Sequence, residues 1–266
     1  MKEDPIISTV MRRRLILEAL QKYKQVDVTQ LSKQFEVSEV TIRKDLRHLE
    51  RKNLLIRSRG GAMAPLKVGD DLSVEERKVM HLREKRAIAI AASSLIVEGD
   101  TIILDSGSTL IQLTKQIKGT ANLTVITNAL DIAYKLSMVT SYKLIVPGGL
   151  FRKKSRSFIG VNAVENMKMF QGDKYFFSAD GITREGVFTS NLEEGQIARI
   201  VISNARENIL LIDSSKFDCK GLINFAPLTR IHTIVTDHLI PKKYQAHLKA
   251  LGIRLVIADG EDEGIE

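Results

Sequence analysis

Residues 38–50 read SEVTIRKDLRHLE, and the whole chain is best understood outward from them. Ile42, Leu46 and Leu49 recur at i, i+4 and i+7, so a helix over this stretch has an apolar back. Arg43, Lys44 and Arg47 give it a cationic front. Ser38 stands just ahead as a cap, able to accept from the backbone N–H of Val40 or Thr41. Upstream, MRRRLILEALQKYKQ (11–25) sets Leu15, Ile16, Ala19 and Leu20 on one face and reads as a first helix. VDVTQLSKQFEV (26–37) predicts a second, with Thr29 as its cap and Leu31 and Phe35 turned inward. Two short helices joined by a brief turn, the second more basic, make the pattern of a helix-turn-helix. LLIRSRGGAM (54–63) then predicts a short strand over Leu54–Ile56 and a hairpin at Gly60-Gly61, a wing carrying Arg57 and Arg59.

The charge is placed to match. The chain of 266 residues carries a net +8, and residues 1–64 hold 14 Lys and Arg against 8 Asp and Glu. The rest holds 26 against 24, so the basicity belongs to the first quarter and points to an anionic polymer. The major groove of DNA admits one helix. Thr41, Arg43, Lys44 and Arg47 would face base edges or phosphates there. Ser38 and Glu39 at the helix start, and Arg57 and Arg59 on the wing, complete the candidate DNA-binding set. A three-helix module that offers a solvated basic face to another protein is the alternative.

Other classes are excluded or disfavoured. No window approaches the roughly 18–20 apolar residues of a membrane span. The start, MKEDPIISTVMRRR, has no apolar core after its charges, so no signal peptide and a cytoplasmic location are expected. Cys219 is the only cysteine, which excludes an internal disulfide. His48, His81, His232, His238 and His247 show no metal-ligand spacing with it, and neither a metal nor a cofactor is expected.

LSKQFEVSEVTIRKDLRHLERKNLLIRSRGGAM (31–63) resembles the DNA-binding domain of the DeoR family of bacterial transcriptional regulators. The match falls on Val37, Ser38, Thr41, Ile42, Arg43, Asp45, Leu46, Leu49, Glu50, Arg57, Gly60, Gly61 and Ala62. Lys44 departs from it, standing where the family commonly has arginine.

The organisation expected is a winged helix-turn-helix over 1–64, a linker over 65–83 with Pro65 and Gly69, and an α/β domain over 84–266. From Glu84 onward helical stretches (KRAIAIAASSLI, LIQLTKQI, LDIAYKLS) alternate with apolar strands. The strands DTIILDSGST, NLTVITNA, SYKLIVPGG, KYFFSADG, NILLIDSSK, HTIVTD and IRLVIADG mostly run into an Asp or a small-residue loop. This alternation predicts a parallel sheet, whose ligands bind at the carboxyl ends of the strands. Five ends, DSGST, TNA, PGG, ADG and DSSK, make a shared polar cleft. Gly107 lets a ligand approach the backbone, and Ser108 and Thr109 offer hydroxyls where a helix begins, a natural phosphate seat. Lys216 adds a cation, and Asp105 and Asp180 can accept from sugar hydroxyls.

This second portion is similar to the DeoR-type sensor domain from about Lys85 to Asp237, through ILDSGST, TVITNAL, IVPGGLF, SADGI and LLIDSSKF. The resemblance implies a fold like that of ribose-5-phosphate isomerase and a phosphorylated sugar or sugar derivative as effector. It implies ligand roles for Asp105, Ser106, Gly107, Ser108, Thr109, Thr127, Asn128, Gly148, Gly149, Asp180, Gly181 and Lys216. Ser178 stands at the first glycine of the commoner G-x-D-G. The function expected is therefore a transcriptional repressor, a homodimer or homotetramer on double-stranded DNA, released by a sugar phosphate. An activator or dual regulator, and a sugar-phosphate isomerase with an appended DNA-binding domain, are the alternatives. No motif fixes Glu185, Glu193 or Glu194 as the base an isomerase needs, so no catalytic residue is assigned.

Overall fold

Asp27 and Ser38 set the two helix starts that define the first unit. A computed structural model describes residues 8–23, 25–52, 54–58, 60–64, 70–139 and 141–259, which divide into two units. The first contains α1 (Thr9–Tyr23), β1 (Gln25–Asp27), α2 (Val28–Gln34), α3 (Glu39–Arg51), β2 (Ile56–Ser58) and β3 (Gly61–Met63). Ile16, Leu20, Leu31, Phe35, Ile42, Leu46 and Leu49 close into its core, as the helical spacing requires. Ser38 caps α3, its hydroxyl accepting from the Thr41 amide at 3.2 Å.

Two local expectations are corrected. Asp27, not Thr29, caps α2, accepting from the Gln30 amide at 3.0 Å. The reason is long-range: β1 pairs antiparallel with β3, Asp27 opposite Gly61, which fixes Asp27 extended at the helix entrance. The wing strand runs over Ile56–Ser58 rather than Leu54–Ile56, because Leu55 drops into the core at 2% exposure. β2 then pairs with β3, giving the order β1-β3-β2.

The second unit starts inside the stretch read as a linker. Within it lie α4 (Val74–Val79) and the start of α5 (Leu82–Ser93). Ser73 and Glu76 form a capping box: the Ser73 hydroxyl accepts from the Glu76 amide at 3.2 Å and the Glu76 carboxylate from the Ser73 amide at 2.8 Å. There follow β4 (Thr101–Leu104), α6 (Ser108–Gln116), β5 (Thr124–Thr127), α7 (Leu130–Leu136), β6 (Lys143–Ile145), and a hairpin of β7 (Leu150–Arg152) and β8 (Ser157–Ile159). Then come α8 (Gly160–Lys168), β9 (Gly172–Phe177), β10 (Gly181–Thr183), β11 (Gly186–Thr189), α9 (Leu192–Asn204), β12 (Ala205–Leu211) and β13 (Ile223–Ala226). β14 (Thr233–Asp237), α10 (Lys242–Ala250) and β15 (Arg254–Ala258) complete it.

All seven strands read from the sequence lie in one parallel sheet of order β15-β14-β12-β9-β4-β5-β6. Its side chains alternate between two apolar layers. Ile102, Leu104 and Phe176 pack with Ile88, Ala92, Leu113 and Ile132 from α5, α6 and α7. Ile103, Tyr175 and Phe177 pack with Ala163, Val201 and Leu248 from α8, α9 and α10. A small antiparallel sheet, β10-β11-β13, inserts beyond the ends of β9 and β12.

Candidate nucleic-acid interface and ligand cleft

The third helix is bolted in place by a buried carboxylate. Asp45, 2% exposed, accepts from Arg12 Nε at 2.6 Å and from Arg13 Nε at 2.7 Å, fastening α3 to α1. With its back fixed, α3 presents Arg43, Lys44 and Arg47 to solvent. Arg13, Lys44, Arg47, His48 and Arg51 together line a basic cleft, of which the sequence reading named only Lys44 and Arg47. Partial desolvation and the charges of Arg13, Lys52 and Arg51 hold His48 below its ordinary value.

The remaining candidates on this unit are engaged within it. Glu39 accepts from the Thr29 hydroxyl at 2.7 Å and pairs with Arg43 at 2.6 Å, tying α2 to α3. Thr41 shares a hydrogen bond with Ser38 at 3.0 Å. Arg57 folds back rather than projecting: it donates to the carbonyls of Gly61 and Arg43, each at 3.3 Å, while its amide donates to Glu50 at 3.2 Å. Desolvation of that guanidinium lowers its pKa. Arg57 therefore braces the wing against α3. Arg59 lies outside the described residues.

In the second unit the five polar strand ends lie on the carboxyl side of β4, β5, β6, β9 and β12. Gly107 opens α6 at φ 145°, and a Cβ there would stand 2.5 Å from the Ser178 hydroxyl, so only glycine brings these loops together. No side chain caps α6, and Ser108 and Thr109 are buried at its first turn. The Ser106 amide donates to Asp105 at 2.7 Å. Asp180 accepts from Arg77 at 3.0 Å and from the Ser190 amide at 2.8 Å. Gly181 passes so close to the Cys219 carbonyl that a Cβ would lie 2.1 Å from it. Lys216 ends a single 3-10 turn after β12, with Asp180 and Lys85 in the field of its charge.

Other predicted ligand residues are committed to the loops themselves. The Thr127 hydroxyl accepts from the Ala129 amide at 3.1 Å, and the Asn128 side chain donates to the Phe158 carbonyl at 3.1 Å. Gly149 sits against α8, where a Cβ would meet the Ile159 carbonyl at 2.7 Å. Gly148, at φ 76°, faces open space.

The structure adds three charged residues that sequence reasoning did not place at the site, Arg77, Lys85 and Arg152, and joins to them Glu194, weighed there only as an isomerase base. Arg77 reaches Asp180 from α4. Lys85, 4% exposed, donates to the Arg77 carbonyl at 2.6 Å. Glu194, at the start of α9, pairs with Arg152 at 3.2 Å. These charges perturb one another. Burial, reinforced by the Glu194 charge, pushes Asp105 up to about 7 against the pull of the Ser106 amide and Arg77. The Tyr175 hydroxyl lies beside that carboxyl but outside hydrogen-bonding geometry. Burial lowers Lys85 to about 8, helped by Lys216 and Arg77 and opposed by Asp213. Burial raises Glu194 against Ser155 and Arg152. For Asp180 burial also acts upward, but Arg77, Lys216 and the Ser190 amide outweigh it and hold the group low. Acids and bases that perturb one another at the carboxyl ends of these strands make this the candidate ligand site. Hydroxyls, carboxyls and cations at the end of a parallel sheet suit a polyol bearing an anionic group.

A winged helix-turn-helix followed by an α/β domain with a polar cleft is the build of a two-domain transcriptional regulator. Residues 12–67 match the DeoR-like helix-turn-helix domain, and residues 80–238 match the DeoR C terminal sensor domain. The HTH-type transcriptional repressor GlcR of Bacillus subtilis (strain 168) is 31% identical, over 94% of this chain and 96% of its own. The lactose phosphotransferase system repressor of Lactococcus lactis subsp. lactis is 34% identical, over 88% and 93%. Ribose 5-phosphate isomerase A from Methanocaldococcus jannaschii is similar over 50% of this chain and 53% of its own, at 19% identity and a TM-score of 0.36. The chain belongs to the DeoR family of transcriptional regulators. No helix among the described residues is long and apolar enough to cross a membrane.

Proposed function

We propose that the protein is a cytoplasmic repressor that binds operator DNA through α3 and releases it when a phosphorylated sugar or sugar derivative enters the sensor cleft. The observation that carries the effector class is the pairing of two cations, Arg77 and Lys216, with Asp105, Asp180 and the uncapped start of α6. Relatives named as repressors, one of them of the lactose phosphotransferase system, support the direction of regulation. A two-fold assembly reading a symmetric site, as a homodimer or homotetramer, belongs to the same proposal. A thermal-shift screen of pentose and hexose phosphates tests it. A ligand at 100 times its dissociation constant raises stability by about 2.7 kcal/mol, and a screen in which no phosphate moves the transition contradicts the effector class.

An isomerase reading draws on Glu194, whose raised pKa and place in the cleft suit a base better than exposed Glu185 does. Interconversion of aldose and ketose phosphates by the purified chain would establish it, and their recovery unchanged would remove it.

A further inference from the structure

A second cationic feature of the DNA-binding unit lies beside the front of α3 rather than on it. Arg13 from α1 and Lys44, Arg47, His48 and Arg51 from α3 line a cleft of about 240 Å³. That is below the roughly 300–1,000 Å³ of small-molecule sites, and no apolar side chain lines it. The other described arginines of the unit are engaged: Arg12 by Asp45, Arg14 by Glu18, Arg43 by Glu39 and Arg57 by two carbonyls. Lys44, Arg47, His48 and Arg51 have no ion pair or side-chain hydrogen bond among the described residues. Arg13 gives only its Nε, at 2.7 Å, to Asp45, which leaves its two terminal nitrogens for the cleft.

The position of the cleft identifies the anion it suits. At 3.6 residues per turn, passing round α3 from its front meets Arg43 and Arg47, then Arg51 and Lys44, then His48, and then Asp45, which is buried against α1. The cleft therefore borders the front of α3 on the α1 side. A helix lying in the major groove has a sugar-phosphate strand along its flank, and contacts to that strand fix register without reading sequence. His48 stands among Arg13 from α1 and Lys44, Arg47, Arg51 and Lys52 from α3 and its cap. The carboxylate acting on it, Asp45, is already shared by Arg12 and Arg13. Desolvation, and then the cations around it, keep the imidazole below its ordinary value of 6.5, so the ring is mostly neutral at neutral pH. An anion in the cleft reverses that balance of charge.

We infer that the cleft seats one phosphate of the DNA backbone beside the groove, held by Arg13 and Arg51, and that His48 takes up a proton from solvent as the phosphate arrives. The inference rests on the operator-binding reading above and adds to it a sequence-independent anchor and a dependence on pH. The complex then holds more protons than its free partners, so binding tightens as pH falls from about 8 to about 6.

The test uses the full chain, a duplex that the protein selects from a random pool and a scrambled duplex, over a salt series and from about pH 6 to about pH 8. Arg51→Ala weakens both duplexes alike, by roughly fivefold to tenfold, and flattens the salt dependence by about one phosphate. His48→Gln removes the pH dependence and binds as the parent does at about pH 8. Calorimetry in two buffers of different ionisation enthalpy shows proton uptake by the parent at about pH 7 and less by His48→Gln. Arg13 stays in place, because it also holds Asp45. If Arg47→Ala loses preference for the selected duplex while Arg51→Ala and His48→Gln match the parent at every salt and pH, operator binding stands and the cleft has no part in it. A loss in Arg51→Ala confined to the selected duplex makes that residue a base reader and overturns the phosphate seat. If His48→Gln keeps the parent's pH dependence, the proton goes elsewhere and that half of the inference is wrong. Competition by inorganic phosphate beyond that of chloride at equal ionic strength makes the cleft a small-anion site instead. If the parent selects no duplex, the operator-binding reading falls and the inference with it.

Discussion

Arg47 and Arg77 belong to one chain and are held in opposite ways. Arg47 stands on the solvent side of a helix whose back is fixed, among other cations that line an open basic cleft. Arg77 is enclosed among carboxylates and lysines that depress or raise one another. The first arrangement asks little of folding, because exposed like charges are screened by salt, and it suits a long polyanion whose counterions are released on binding. The second leaves charge in low dielectric only partly compensated, and a ligand of complementary charge relieves it. Under the proposed function the two units put charge to two uses, one for gripping a polymer and one for sensing a small molecule.

The largest effect should come from removing the bolt beneath the exposed face. Asp45→Ala takes away the carboxylate shared by Arg12 and Arg13, and breaking a buried pair in this way costs about 3–5 kcal/mol. Denaturant unfolding of the full chain should show the first unit melting early, and an unchanged transition would mean that α3 is held by its apolar back alone. Next in size is a contrast between two arginines. Arg47→Ala should weaken operator binding by about 1–3 kcal/mol with the melting temperature unchanged. Arg57→Ala should lower both, since it removes the two carbonyl contacts that brace the wing, at about 1 kcal/mol each. Equal behaviour of the two variants in the melting assay would break the distinction between presented and bracing cations.

A further effect is one of pH. In the folded chain Asp105 keeps its proton up to about 7, against an ordinary value of 3.8. Between those limits the folded state binds more protons than the unfolded one, so Asp105 makes stability fall as pH rises from about 4 to 7. Lys85, lowered to about 8 from 10.5, acts oppositely, and its contribution rises with pH from about 8 to 10.5. Asp105→Asn should flatten the acid-side slope and leave the alkaline one. Denaturant midpoints from pH 4 to 10 check this, and an undiminished acid slope would assign it to other carboxyls.

Much of the fold was legible because it is written in local periodicity. Ile42, Leu46 and Leu49 mark the back of α3, and seven apolar runs became the seven strands of the parallel sheet. What escaped was decided by distant partners. Asp27 and Thr29 are both able caps, and only the pairing of Asp27 with Gly61 chooses between them. The sheet β10-β11-β13 is made from short segments far apart in sequence, so no window contains it. The missed site residues did leave a signal. Asp45 lies between Ile42 and Leu46 on the buried stripe of α3, and Lys85 heads the stripe of Ile88, Ala89 and Ala92 on α5. A charge on an apolar stripe must find a partner inside. Ser73 and Glu76 likewise spell a capping box for the helix that carries Arg77.

The central claim is that the two uses of charge are coupled, and coupling is reciprocal. The most direct measurement takes a duplex that the protein selects from a random pool and titrates the sugar phosphate found by screening into the full chain, with and without saturating duplex. If the ligand weakens operator binding about 100-fold, the duplex must weaken ligand binding by the same factor, a coupling of roughly 2.7 kcal/mol. The account predicts that loss. Equal ligand affinities in the two titrations would contradict it.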